Sequence, residues 1–118
     1  MKAIRDILRE KYKDGERDIV LDGADFISQK GYTIIPNYVL YANNISGHAK
    51  LVYALLLSHA WGDKNASFPG QERLAQECGI SPRSAWNSLK ELEKADFITI
   101  IRRGLGKTNV YVLHFKRR

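Results

Sequence analysis

Cysteine is nearly missing from this sequence of 118 residues, Cys78 being the only one. A single thiol cannot close an internal disulfide, so the cross-linked framework of a small secreted domain is excluded. Long hydrophobic runs are missing too. The longest, Leu51 to Leu57, falls far short of the roughly 20 apolar residues that a bilayer span needs. The opening stretch MKAIRDILREKYKDG lacks the apolar core of a signal peptide. Together these absences predict a soluble, cytoplasmic protein. Internal repeats and low-complexity tracts are absent as well. His48, His59 and His114 are scattered, with no ligand spacing and no nearby cysteine or carboxylate pair, so neither a metal nor another cofactor is expected. Cys78 reads as a small packing residue rather than a nucleophile. With no catalytic constellation, the chain reads as a non-enzyme.

Acidic residues are missing from one region only. Residues 1–30 hold seven Lys/Arg and seven Asp/Glu, and residues 31–96 hold six of each. Residues 97–118 hold Arg102, Arg103, Lys107, Lys116, Arg117 and Arg118 with no acid, so the whole net charge of +6 lies there. A one-sided basic region attracts a polyanion over about a Debye length, roughly 8–10 Å at physiological salt. Charge alone is equally compatible with a solvated tail.

The remaining composition is that of a globular domain. Apolar residues make up 44%, enough for one modest core without a disulfide or metal to hold it. Ile4, Ile7, Leu8 and Tyr12 recur at helical spacing and predict an amphipathic helix over Met1 to Lys13, stopped by Asp14-Gly15. Gly31 to Ile35 reads as a short strand ended by Pro36, and Pro36 to Tyr41 as a helical turn. Ser46 is a good N-cap for a helix running to about Trp61, and its apolar centre, Leu51 to Leu57, predicts burial on most sides. Residues 62–66 read as a loop, and Ser67-Phe68-Pro69 is too short for more than a token strand.

A second pattern follows with tighter spacing. A helix is expected over Gln71 to Cys78. Gly79 then supplies positive φ, and Ile80 an apolar plug. Ser81 and Pro82 cap and open the next helix, which ends near Asp96. Ala75 is the small residue needed where two steeply crossed helices meet, and Leu74, Ala85, Leu89 and Leu92 face a shared core. Phe97 to Ile101 and Val110 to Phe115 read as two strands joined by a turn at Gly104 to Thr108. The order helix, helix, tight turn, helix, hairpin is that of an α+β, mainly α, winged helix-turn-helix.

The stretch FPGQERLAQECGIS from Phe68 to Ser81, continued by Ser84-Ala85, Leu89, Leu92-Glu93 and Phe97-Ile98, resembles the winged helix-turn-helix domains of bacterial regulators. It is especially similar to those of replication initiators and accessory proteins of plasmids, phages and conjugative elements. The preceding His48-Ala49-Lys50-Leu51-Val52-Tyr53 fits the same group. The resemblance covers about residues 32–115. It departs from the usual pattern at Gly70, where Ser often caps the helix, at Ala85, where Val is commoner, and at Asp96, where Gly often follows the third helix. Residues 1–31 are then an N-terminal extension and 32–118 the DNA-binding domain.

The resemblance implies sequence-specific binding of double-stranded DNA, with a nucleoid-associated location. The third helix, about 82–95, enters the major groove and the basic wing, 102–109, lies on backbone or minor groove. Helical spacing turns Arg83, Ser84, Asn87 and Lys90 outward. Arg83 suits guanine, Asn87 adenine, and Ser84 and Lys90 the backbone. Trp86 either packs as core or stacks at the interface, with partial burial favoured. On the wing, Arg102, Arg103, Lys107, Thr108 and Asn109 are the expected contacts. Gly104-Leu105-Gly106-Lys107-Thr108 is no P-loop, since Ile101 stands where the first glycine is required and a strand follows. The role is that of a transcriptional regulator or of an origin-binding protein of a mobile element. The alternative is a winged-helix adaptor that binds a replication or transcription partner. The stripe Ile4, Ile7, Leu8, Tyr12 is open to docking in cis, homodimerisation or a partner protein.

Overall fold

The caps picked out along the sequence explain where the helices begin. A computed structural model describes residues 31–60, 66–67 and 69–115. The expected helix over Met1 to Lys13, the apolar pieces up to Lys30, residues 61–65, Phe68 and the terminal Lys116, Arg117 and Arg118 lie outside the described residues. Helix α1 (Asn37–Leu40) starts after Pro36, whose ψ of 140° keeps it out of the helix. Helix α2 (Gly47–His59) starts at Ser46, whose hydroxyl accepts the Ala49 amide at 3.1 Å. A two-residue strand β1 (Ala66–Ser67) follows. Helix α3 (Gln71–Cys78) ends at Gly79, which takes the left-handed conformation at φ 74°. Helix α4 (Pro82–Lys94) starts at Ser81, whose hydroxyl accepts the Ser84 amide at 3.1 Å. Strands β2 (Ile98–Ile101) and β3 (Val110–Leu113) complete the set.

The three strands form one antiparallel sheet in the order β1-β3-β2. Ile98 pairs with Leu113 and Ile100 with Tyr111, and all four side chains are buried. Strand alternation therefore puts one face of the hairpin on the helices. Against it pack Val52, Tyr53 and Leu56 of α2, Leu74 of α3, and Leu89 and Leu92 of α4. Ala75, the small residue expected where the two helices meet, is buried, and so is Ala85, expected to face inward. Tyr38 and Tyr53 tie the N-terminal side of this core to the sheet. Their hydroxyls lie 3.0 Å apart, and each donates to the His114 carbonyl. Phe97 stacks on the Tyr38 ring and meets Tyr53 edge-on. Burial pushes the Tyr53 hydroxyl well above its ordinary pKa, so it stays a neutral donor.

Some expectations are corrected. Residues 31–36 form no strand. A strand needs an edge to satisfy its backbone groups, and among the described residues none pairs with this segment. Ile35 instead packs, half-buried, on the core. The α2 helix is enclosed much as its apolar run suggests, with residues Val52 to Leu57 buried or half-buried, and only Leu51 of that run is exposed, at 54%. It ends at His59, short of Trp61.

Candidate nucleic-acid interface

The α4 helix divides cleanly. Ala85, Ser88, Leu89 and Leu92 point into the core. Arg83, Asn87, Lys90 and Lys94 are exposed and recur at intervals of three and four, so they form one line along the opposite face. Lys94 was not among the residues singled out from sequence, although its spacing from Lys90 was the signal for it. Neither the Arg83 nor the Asn87 side chain makes a hydrogen bond to another described residue, and both lie near the start of the helix. Ser84 is half-buried, and its hydroxyl takes a hydrogen bond from the Ser81 hydroxyl at 3.0 Å. It thus finishes the helix start as well as bordering the exposed face.

Trp86 is half-buried and packs on the core, in keeping with the partial burial expected of it. Its ring also carries two cations. The Lys90 ammonium lies 5.9 Å from the ring centroid and the Arg102 guanidinium 5.5 Å. Arg102 follows the last residue of β2, so this contact joins the start of the wing to α4. Each Arg102 terminal nitrogen is 3.4 Å from one Glu93 oxygen.

The wing loop, 102–109, is organised from within. Gly104 and Gly106 have positive φ, 93° and 76°, and the Lys107 amide reaches back to the Gly104 carbonyl at 3.4 Å. Arg103 donates to the Thr108 carbonyl at 2.7 Å and to the Thr108 hydroxyl at 3.1 Å. Asn109 is half-buried and its side chain hydrogen-bonds the Tyr111 hydroxyl, whose pKa burial raises. Lys107 is exposed. Thr108 faces Gly70 at the start of α3, its methyl group 3.8 Å from where a Gly70 side chain would begin. The wing therefore stands beside the N-terminus of α3.

Three contacts that sequence did not reveal set the angles between helices. Glu91 accepts from the Ser46 amide at 2.5 Å and from the Ser46 hydroxyl at 2.8 Å, fastening α4 to the start of α2. Gln71 donates to the Pro82 carbonyl at 2.9 Å, linking the starts of α3 and α4. His59 meets Glu77 at 2.7 Å, joining α2 to α3. That hydrogen bond, helped by the charges of His59 and Arg73, holds the Glu77 carboxyl below its ordinary pKa despite partial desolvation. Among the described residues no group of His, Cys, Asp or Glu is arranged to hold a metal ion, and no helix is long and apolar enough to cross a membrane.

Comparison with known proteins agrees with this geometry. A family model described as a helix-turn-helix domain matches residues 43–98. A solved structure of a Rep–DNA complex superposes with a TM-score of 0.58 at 20% identity, over 84% of this chain and 86% of that one. The N-terminal domain of a DNA-binding protein superposes with a TM-score of 0.56 at 18% identity, over 86% and 87% of the two chains. Among curated protein sequences no significant match is found. With the α3–α4 pair, the left-handed turn at Gly79 and the antiparallel β2–β3 hairpin, the chain has the fold of a winged helix-turn-helix.

Proposed function

We propose that this protein binds double-stranded DNA sequence-specifically, with α4 in the major groove and the wing on the backbone or in the adjacent minor groove. The observation that carries this reading is the outer line of α4. Arg83, Asn87, Lys90 and Lys94 combine three cations with an amide and include no acid. Arg83 and Asn87 occupy the leading turns, where a helix entering the groove meets base edges. Their forks fit guanine and adenine respectively. Lys90 and Lys94 lie farther along and suit phosphates, as does Lys107 on the wing. Ser84 borders the groove, Trp86 lies between helix and wing, and Thr108 and Asn109 shape the base of the wing.

Two roles fit such a module, an origin-binding replication protein and a transcriptional regulator. Likeness in fold to a Rep–DNA complex favours the first. Residues 1–31 would act as an extension. Paired half-sites follow if the stripe Ile4, Ile7, Leu8 and Tyr12 joins two copies.

The test is selection of bound sequences from a random duplex pool at physiological salt. An enriched motif that loses its preference at one position in Arg83→Ala supports the reading. Retained binding with no enriched motif leaves a non-specific binder and removes base readout. Failure to bind any duplex at low salt would refute the reading and return attention to an adaptor role.

A further inference from the structure

The contact between α4 and the wing contains an acid where a DNA interface has least use for one. Glu93 lies seven residues beyond Trp86 and three beyond Lys90, so all three share one side of α4. The Arg102 guanidinium reaches this side from the end of β2. It sets its two terminal nitrogens against the two Glu93 oxygens, both at 3.4 Å, and lies 5.5 Å from the Trp86 ring. This is the forked geometry by which arginine holds either a carboxylate or a phosphate. Glu93 therefore fills the fork that a backbone phosphate would take.

We propose, on the basis of the DNA-binding reading above, that Glu93 is a positioning residue that competes with phosphate for Arg102. In the free protein the carboxylate and the indole hold the guanidinium against α4. On DNA the fork passes to a phosphate while the Trp86 ring keeps the guanidinium seated.

The distances suit an exchange. At 3.4 Å each contact is longer than the roughly 2.7–2.9 Å of a tight charge-assisted bond. The Arg102 side chain is 53% exposed and that of Glu93 33%. Exposed pairs of this kind are weak, so a phosphate can open them. The indole contact is made by the ring face and not by the carboxylate, so opening the fork does not of itself remove it.

Competition has a cost that can be read in binding. Each complex gives up the Glu93–Arg102 pair and leaves a bare carboxylate near the DNA, where it retains a cation that would otherwise be released. Glu93→Gln removes both effects. The variant is expected to bind its selected duplex more tightly, by about 1.5- to fivefold, the range of a weak exposed pair. Its plot of log affinity against log salt should be steeper, by up to about 0.9.

The experiment is a double-mutant cycle over Glu93→Gln and Arg102→Gln, titrated on the duplex selected above at several salt concentrations. Thermal melts of each variant check folding. A gain from Glu93→Gln that is clearly smaller in the Arg102→Gln background supports the exchange, what is left there being the carboxylate's general repulsion of the DNA. An equal gain in both backgrounds overturns it, since Glu93 would then act as a general repulsive charge. No gain while the parent protein binds overturns it also, with the DNA reading intact. A parent protein that binds no duplex removes the DNA reading and this inference with it.

Discussion

Asp96 and Gly79 end their helices in the same way. In each case the left-handed residue donates to a carbonyl three residues back and the next residue to one five residues back. Gly79 reaches Gln76 and Ile80 reaches Ala75, while Asp96 reaches Glu93 and Phe97 reaches Leu92. Gly79 meets this at little cost, but Asp96 holds φ 65°, which few side chains tolerate. Asp96→Val is thus expected to lower stability by at least about 1 kcal/mol, whereas Asp96→Gly leaves it equal or higher. Denaturant midpoints of the two variants check this, and a valine variant as stable as the glycine one would sink it. Gly70 poses the opposite case. It sits at the α3 N-cap with extended φ and ψ and no side chain to accept an orphan amide. A Cβ added there meets the Thr108 methyl at 3.8 Å, an ordinary contact. Gly70→Ser is expected to stabilise by a few tenths to about 1 kcal/mol, by capping α3 and stiffening the unfolded chain. A thermal midpoint equal to or below that of the parent would count against it.

Between elements, the joints are made by side chains that meet across long stretches of sequence. His59 and Glu77 fasten α2 to α3. The Glu77 carboxyl is held below its ordinary pKa, first by the His59 hydrogen bond and then by neighbouring positive charge. A carboxylate whose pKa is lower folded than unfolded adds stability above the unfolded value and loses it as pH falls through the folded one. From about pH 5 downward, the thermal midpoint of the parent should therefore fall faster than that of Glu77→Gln. Parallel acid limbs would remove the joint as a source of stability. Such joints mark where the sequence stops being readable. Ser46, Ser81, Pro82 and Gly79 act within a turn of their own position, so the helix starts and the α3–α4 turn were legible. The exposed line on α4 was legible from spacing, apart from Lys94. Glu91 on Ser46, Gln71 on Pro82 and Glu93 on Arg102 were not, because nothing local to either partner specifies the other. The supposed strand before Pro36 failed for a related reason. Apolar, β-branched residues propose a strand, but only a paired edge makes one.

At the level of the whole molecule, the excess charge lies at one end of the sequence, yet its wing residues do unlike jobs. Arg102 is shared with Glu93 and Trp86, and Arg103 braces Thr108 within the loop, while Lys107 projects at the turn. If the wing grips phosphates, charge and shape should be separable there. Lys107→Ala removes a charge without touching the internal bonds of the loop. It should reduce the slope of log affinity against log salt by about 0.9, equally for all duplexes. Arg103→Lys keeps the charge but loses the fork that holds both the Thr108 carbonyl and its hydroxyl. It should weaken binding while leaving the slope close to that of the parent, because the loop loses its pre-formed shape and must be ordered on the DNA. Salt titrations of both variants on one duplex decide the matter. A flattened slope in Arg103→Lys together with an unchanged one in Lys107→Ala would mean that Arg103, not Lys107, is the wing's phosphate contact, and that the bonds to Thr108 open when DNA binds.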